Sequence, residues 1–289
     1  MKSTVINKTE KLDDDLYVIT EAGSVHCYII LGTKKAVLFD VGYGYEDIQP
    51  LIREFTDLPL VVVLSHGDPD HSLGAFHFEE VYIHELDYGK MLQNDNAEIK
   101  QSSLEYRYQK MPELRKEITV EEYCATNLKH VKAKFLRDKA LIDLGDRHLE
   151  VIHIPGHSYG HIALLDPKKK RLFSGDMISS HNIWYFNETE DEQAPYDMAV
   201  ASWKKIKNRQ EEISQIYPAH GKIPITMEAV DDLLECFGGE LQANYMYDQA
   251  FHSFSGDGWQ HLYKSVNLIY SDIKLSAFMK VPIVREPVS

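Results

Sequence analysis

Four potential metal ligands lie within six consecutive residues of the segment Leu64–Ala75, which reads LSHGDPDHSLGA. They are two imidazoles and two carboxylates: His66, His71, Asp68 and Asp70. A mixed set of imidazole and carboxylate donors suits zinc, iron or manganese. The apolar run before the segment is typical of a buried strand, and a loop at the end of a strand lets several side chains converge. The segment therefore predicts a metal site.

Four further segments place a His or Asp directly after a short apolar run, beside Gly or Pro. The residues concerned are Asp40, His157, Asp176 and His220. In α/β sheets, ligands gather beyond the carboxyl ends of the strands. Five such segments along one chain indicate that their nitrogen and oxygen donors meet at a single site.

The elements that must position these donors follow from the apolar patterning. Short runs rich in β-branched residues predict strands at Leu16–Thr20, Val25–Leu31, Ala36–Asp40, Leu60–Leu64, Val81–His84, Ala140–Ile142, Leu149–Ile154, Ile162–Leu165, Arg171–Phe173 and Ile213–Tyr217. Helical spacing predicts helices at Glu46–Phe55, Tyr196–Arg209 and Met227–Tyr247, and the tail beyond Phe251 is expected to end in an extended stretch. Strands that alternate with helices predict a layered α/β fold.

Between Glu85 and Leu136 the sequence becomes charged and Tyr-rich, with mostly helical periodicity. An unstructured loop of that length is improbable inside a compact domain. We therefore predict a helical insertion over about 85–136, which could form a lid over the site or the surface of a homodimer. Because strand patterning resumes after it, residues 1–289 are interpreted as a single domain.

Composition narrows the choice of partners. The chain has 289 residues, with 31 Lys and Arg against 45 Asp and Glu, for a formal net charge of −14. Such a surface repels phosphate backbones and anionic lipids, so we expect neither nucleic acid nor a membrane as a partner. The three cysteines are far apart, the N-terminus has no apolar core of a signal peptide, and no run of about 18 apolar residues occurs. We expect a cytoplasmic protein that acts on a small molecule.

These motifs together resemble the metallo-β-lactamase superfamily over roughly two-thirds of the chain. That family has an acidic residue after an early strand, then HxHxDH, a later His, a bridging Asp and a final His. The resemblance implies an αββα sandwich that binds two divalent metal ions, zinc first, with iron and manganese as alternatives. One ion would be bound by His66, His157 and Asp68, and the other by Asp70, His71 and His220. Asp176 would bridge the two ions, and Asp40 would order the ligand loop without binding metal.

One departure from the family pattern concerns Asp68, because HxHxDH becomes HxDxDH here. Two divalent ions, two aspartates and a hydroxide leave a net charge of about +1, and a third carboxylate brings it to about zero. Such a site should bind iron more readily. Flavodiiron oxygen and nitric-oxide reductases carry Glu at this position. The PGHxxGH form of Pro155–His161 is typical of the hydrolases, however, and the mutation Asp68→His is expected to raise ester hydrolysis.

The favoured hypothesis is a hydrolase in which a metal-bound hydroxide attacks a small ester, lactone, thioester or phosphodiester. Asp70 or His161 would move the proton. The polar and aromatic residues after Asp176, together with one Tyr beside His157, are candidates for substrate contact: His181, Asn182, Trp184, Tyr185 and Tyr159. A glyoxalase-II-type thioesterase is disfavoured, because the tail has only scattered cations for an anionic thiol. The alternatives are a diiron oxidoreductase and a metal-bound ligand sensor without turnover.

Overall fold

The computed structural model describes residues 3–185, 195–253, 256–283 and 285, and for Asn182, Trp184 and Tyr185 only the backbone. The chain divides into two compact units, Met1–His153 with Ile162–Lys169 and Ile154–His161 with Lys170–Ser289. Each unit is described by itself, and the single-domain interpretation stays a prediction. Among the described residues, no helix combines the length and the apolar character needed to cross a membrane.

The first unit contains a sheet whose strands follow one another in chain order. They are β1 (Asn7–Asp13), β2 (Leu16–Glu21), β3 (Val25–Leu31), β4 (Ala36–Phe39), β5 (Leu60–Val63), β6 (Glu80–His84) and β7 (Lys132–Leu136). The first four strands pair antiparallel and the last four pair parallel. A second, antiparallel set in this unit consists of β8 (Leu141–Asp143), β9 (His148–His153) and β10 (Ile162–Asp166).

Five helices of the same unit lie between these strands. They are α1 (Gln49–Arg53), α2 (Pro69–Ser72), α3 (Glu85–Asn94), α4 (Ala97–Lys110) and α5 (Val120–Ala125), among the described residues. Two regions differ from prediction. The helix expected over Glu46–Phe55 is shorter and consists of α1 alone. In the insertion predicted for about 85–136, the helices end at Ala125, and the last five residues of that range form the strand β7. That strand, KAKFL, lies largely exposed at the sheet edge, so backbone pairing with β6 and not an apolar pattern defines it.

The described part of the second unit contains two smaller groups of strands. The strands β11 (Arg171–Gly175) and β13 (Gln215–Pro218) pair parallel. The other group has the order β12 (Asn182–Tyr185), β16 (Val266–Tyr270), β15 (Gly256–Tyr263) and β14 (Gln249–Ser253). Its helices are α6 (Tyr196–Lys207), α7 (Glu228–Glu235), α8 (Leu241–Asn244) and α9 (Asp272–Met279). The tail beyond Phe251 is mostly sheet and helix as far as Met279. The Pro-containing stretch at its end, which was expected to be extended, falls mainly outside the described residues, so that expectation stays a prediction.

Each unit has an apolar core of its own. In the first unit, residues from β2 to β6 and from α3 to α5 form one buried cluster. In the second, α6 buries one helical face that includes Trp203, whose ring lies 4.9 Å from that of Phe237. The α/β class that the patterning predicts is thus confirmed, since strand and helix both contribute to these cores.

Candidate metal centre

The HxDxDH segment runs from the end of β5 into α2, where Pro69 occupies the first turn of the helix. His66 and His71 are fully buried, and their ring centroids lie 4.0 Å apart. The Nε2 atom of His66 lies 3.2 Å from Oδ2 of Asp68, and the Nε2 atom of His71 lies 3.6 Å from Oδ1 of Asp70. The segment therefore contains two imidazole–carboxylate pairs, each formed by an Nε2 atom and a carboxylate oxygen.

Asp40 and Ser65 orient both imidazoles of the HxDxDH segment. The Ser65 backbone N–H and hydroxyl donate to the Asp40 carboxylate at 2.6 and 2.8 Å. Because the single hydroxyl proton of Ser65 goes to Asp40, its oxygen accepts from Nδ1 of His66 at 2.9 Å. Nδ1 of His71 donates to Asp40, also at 2.9 Å. In the neutral imidazoles, both Nε2 lone pairs are then available to a ligand, which is the arrangement that metal-binding histidines show.

Asp40 adopts this position in a backbone conformation that L residues seldom take, with φ at +65°. The carboxylate then lies under the ligand loop, where it accepts the three hydrogen bonds described above. Strained backbone of this kind costs on the order of 1–3 kcal/mol and persists where the surrounding contacts enforce it.

Helix α3 holds the ligand loop from its other side, a feature that sequence reasoning missed. Nζ of Lys90 lies 2.5 Å from Oδ1 of Asp68. Asp87 accepts the backbone N–H of Gly67 at 2.9 Å, and Asn94 donates to the carbonyl of the same glycine at 2.8 Å. A Cβ on Gly67 would lie 2.7 Å from the Asp87 carbonyl oxygen, so the close approach requires glycine. The polar residues at 87, 90 and 94 share one helical face, and this spacing was the available signal.

Glu21 supports the turn that follows Asp40. Its carboxylate accepts the backbone N–H groups of Tyr43, Gly44 and Tyr45 at 2.6 to 3.0 Å. The pKa of Glu21 is raised to about 7 overall: burial raises it most, these three donors lower it, and the charge of Asp70 raises it. The signal for this residue was absent from the sequence, because its partners lie more than 20 residues away.

The second unit brings three of the predicted ligands together. Asp176 directly follows β11, and His220 comes two residues after β13. Since these strands are parallel neighbours, both side chains lie at the same sheet edge. Oδ1 of Asp176 lies 3.4 Å from Nε2 of His220, and Oδ2 lies 3.8 Å from Nε2 of His157. Each oxygen of one carboxylate thus faces a different imidazole.

The remaining predicted residues of this unit have different surroundings. Nε2 of His161, which is fully buried, accepts the backbone N–H of Asp176 at 3.1 Å. Tyr159 is half-buried in the same turn. His181 is exposed, and its ring lies 6.1 Å from that of His220. The side chains of Asn182, Trp184 and Tyr185 lie outside the described residues, although their backbone forms β12.

The donor spacing tests whether these residues fit a metal ion. Zinc–nitrogen and zinc–oxygen bonds of about 2.0–2.1 Å at a tetrahedral angle place two donors about 3.3 Å apart. The His66–Asp68, His71–Asp70 and His220–Asp176 pairs lie 3.2, 3.6 and 3.4 Å apart. Donor type and spacing within each unit therefore fit a small divalent ion.

Comparison with known proteins agrees with this geometry. A family profile described as "Metallo-beta-lactamase superfamily" matches residues 20–220. The chain is 31% identical over 168 residues to acyl-coenzyme A thioesterase MBLAC2 of Gallus gallus, covering 55% of this chain and 59% of that relative's length. It is 26% identical to hydroxyacylglutathione hydrolase GloC of Haemophilus influenzae, over 58% of this chain and 72% of the relative.

A solved structure supports the same fold. The metallo-beta-lactamase family protein TTHA1429 of Thermus thermophilus superposes with a TM-score of 0.57 at 19% identity, covering 83% of this chain and 85% of that one. The chain belongs to the metallo-beta-lactamase superfamily, since the family match spans more than half of its length. The family resemblance and the αββα fold class predicted from the motifs are therefore confirmed.

Proposed function

We propose that the protein is a metal-dependent hydrolase of small thioesters. The observation that carries the proposal is the pairing of imidazole and carboxylate donors at ligand spacing in both units. The curated relatives add the substrate class, because one is named an acyl-coenzyme A thioesterase and another a hydroxyacylglutathione hydrolase. The chain spans 59% of the length of the first of these relatives, so the activity and the substrate of this chain are proposals.

The proposed ligand sets are those expected from the family pattern. His66, His157 and Asp68 would bind one divalent ion, and Asp70, His71 and His220 the other, with Asp176 shared. The two oxygens of Asp176, which face His157 and His220, support the shared role. Bound zinc, the first choice over iron or manganese, would lower the pKa of a water and polarise the substrate carbonyl.

Lys90 resolves the charge problem that Asp68 creates. A carboxylate in place of the family's neutral imidazole adds one negative charge to the site, and the Lys90 ammonium, 2.5 Å from Oδ1 of Asp68, compensates that charge. The Asp68–Lys90 pair is thus nearly equivalent in charge to a histidine. This favours hydrolysis over the diiron alternative, because the argument for iron depended on an uncompensated third carboxylate.

Other residues of the site position groups around the reaction. His161 accepts from the backbone of Asp176, so we assign it to holding that carboxylate in place, and its role in proton transfer stays a prediction. Asp70, which is half-buried, is the better candidate for moving a proton. His181 is exposed beside His220 and is available to a substrate, as is the half-buried Tyr159.

A substrate panel tests the proposal. The purified protein is assayed with an acyl-coenzyme A, an S-acylglutathione, the matched oxygen ester, a lactone and a phosphodiester. We expect thioester cleavage to exceed the others and to be lost after chelation. His220→Gln should abolish it, whereas the exposed histidine variant His252→Gln should not. Two bound irons with oxygen uptake and no hydrolysis would instead establish the redox alternative, and full metal occupancy without turnover the sensor.

Location and assembly stay predictions. Residues Cys27 and Cys236 are buried free thiols and Cys124 is half-buried, which agrees with the cytoplasmic location expected from the sequence. A homodimer through the insertion is tested by sedimentation of the purified chain, in which a single monomeric species would exclude it.

A further inference from the structure

A second group of metal-type donors lies in the second unit and shares no residue with the ligand sets discussed above. It consists of a thiol, a carboxylate and an imidazole, from Cys236, Glu240 and His261. The ligand atoms of these three residues all lie within 4.8 Å of one another. Cys236 is fully buried and His261 is 2% exposed. Neither residue is used in the proposed hydrolysis.

The local fold explains why these residues meet. After α7 the chain bends within Cys236–Glu240, where Gly239 has a non-helical φ of +151°, and the thiol and the carboxylate lie at the two ends of this bend. His261 lies on β15, and Asp248 precedes β14. Since Gln249 pairs with Gln260, Asp248 and His261 are opposite each other one step further along the same ladder.

The imidazole of His261 is held in the orientation that zinc-binding histidines have. Nδ1 hydrogen-bonds the Asp248 carboxylate at 2.8 and 3.0 Å, while Nε2 faces Glu240 in a hydrogen bond. Asp248 in turn accepts the hydroxyl of Tyr270 at 2.7 Å, and that hydroxyl accepts from Arg285 at 2.6 Å. In metal-binding histidines a carboxylate on one ring nitrogen orients the ring, and the other nitrogen binds the ion once it has lost its proton.

We propose that Cys236, Glu240 and His261 bind a zinc ion that is distinct from the hydrolytic centre. Thiolate and imidazole together select zinc among the common divalent ions, and a carboxylate completes a three-ligand set. Glu240, Asp248 and His261 also line a shallow pocket with Gln249 and Gln260. Water or a small ligand in this pocket would supply a fourth donor to a bound zinc ion, as in an open zinc site.

The release of two protons would balance the charge of a zinc ion bound at this cluster. Burial lowers the pKa of His261, but its hydrogen bonds with Asp248, Cys236 and Glu240 raise it to about 10 overall, and burial raises the pKa of the Cys236 thiol. Without zinc, both groups therefore hold protons near neutral pH. When one divalent ion displaces these two protons, the net charge of the cluster is unchanged, and affinity should rise with pH.

A nucleophilic thiol is a weaker interpretation of the same cluster. A reactive cysteine needs a lowered pKa and an accessible sulfur. Cys236 has neither, because it is fully buried and its pKa is raised. The hydrogen bond from His261 lowers the pKa of this thiol, but burial outweighs that effect.

Cobalt substitution of the intact protein tests the proposal. The hydrolytic ligands are nitrogen and oxygen donors, so thiolate-to-cobalt charge-transfer absorption reports on Cys236 alone. We expect this absorption in the wild type, its loss in Cys236→Ser and in His261→Gln, and its retention in Cys124→Ser, which changes a half-buried thiol outside the cluster. Circular dichroism and thermal melting verify that each variant is folded.

A measurement on the wild type alone makes the test independent of variant folding. X-ray absorption at the zinc edge should show a sulfur neighbour at about 2.3 Å, for one zinc in three when the hydrolytic centre is also loaded. Zinc with only nitrogen and oxygen neighbours, or cobalt without thiolate absorption, would overturn the proposal. Failure of the hydrolytic centre would instead leave the sulfur signal present while thioester cleavage and the other two zinc equivalents are missing.

Discussion

Asp68 and Lys90 show how a single substitution in a ligand motif depends on a residue elsewhere in the chain. Both side chains are mostly buried, with exposed fractions of 20% and 13%. From the motif alone, Asp68→His restores HxHxDH and is expected to raise hydrolysis. The structure changes that expectation. The replacement would remove the carboxylate that pairs with Lys90, and it would leave the Lys90 ammonium beside an imidazole and a bound metal ion.

A double-mutant cycle tests this pair. Asp68→His and Lys90→Met should each lower metal content and kcat/KM, since each leaves a partly buried charge without its partner. The double variant Asp68→His/Lys90→Met should recover much of the loss, with a coupling free energy of about 0.5–3 kcal/mol. Metal analysis and thioester kinetics measure it, and Lys90→Arg is the charge-preserving control. Strictly additive losses would show that the two residues act independently.

The buried carboxyl of Glu21 should make stability depend on pH. Its pKa rises from 4.5 to about 7 on folding, so the folded state holds the proton more tightly. The resulting stabilisation is fully present below pH 4.5 and is lost as pH rises through 7, by up to about 3 kcal/mol. Urea unfolding at about pH 5 and about pH 8 should show a steeper loss for wild type than for Glu21→Gln. The exposed variant Glu10→Gln should follow the wild type, and equal slopes for Glu21→Gln and wild type would contradict the assignment.

At the scale of elements, Arg147 connects strands that are far apart in the sequence. It lies in the turn between β8 and β9, where its side chain is 4% exposed. Its guanidinium pairs with Asp166 at the end of β10 at 2.7 Å and with Asp15 between β1 and β2 at 2.6 Å, and it donates to the Leu31 carbonyl at 2.9 Å. One side chain thus joins both strand sets of the first unit.

Arg147→Met should therefore destabilise the protein far more than an ordinary ion-pair deletion. It leaves the Asp166 carboxylate, which is fully buried, without its cation, and such losses cost about 3–5 kcal/mol. Arg137→Met is the matched control, because that side chain is 75% exposed and lies 3.5 Å from Glu85. We expect the control to change the free energy of unfolding by less than about 1 kcal/mol. Equal effects of the two variants in chemical denaturation would refute the argument.

The sequence predicts strands where burial leaves an apolar pattern and fails where pairing alone defines them. The strand Val25–Leu31 is found with the bounds predicted, because almost every residue is buried. The strand β1, NKTEKLD, was not predicted, since its exposed side chains are polar and its buried residues Asn7 and Thr9 are polar as well, so no apolar pattern marks its pairing with β2. The HxDxDH residues were identifiable as candidate ligands because they lie close together in the chain. Lys90 was not, because its contact with Asp68 depends on how α3 packs.

At the scale of the whole molecule, apolar cores in both units should make folding independent of metal. The buried cluster of the first unit extends from β2 through α5, and the aromatic packing around Trp203 and Phe237 belongs to the second. Neither core contains a ligand of the proposed hydrolytic centre. A chain of this length buries enough surface to fold without a metal ion.

Chelation should consequently lower the melting temperature without abolishing cooperative unfolding. A ligand at a thousandfold excess over its dissociation constant stabilises by about 4 kcal/mol, which for a protein of this size corresponds to a shift on the order of 10 °C. Calorimetry of the protein before chelation, after chelation and after reloading with zinc measures the shift and its recovery. Magnesium is the control ion, because it prefers oxygen ligands and should not restore the midpoint. A chelated protein that melts without a cooperative transition would mean that the ions, and not the apolar cores, hold the fold together.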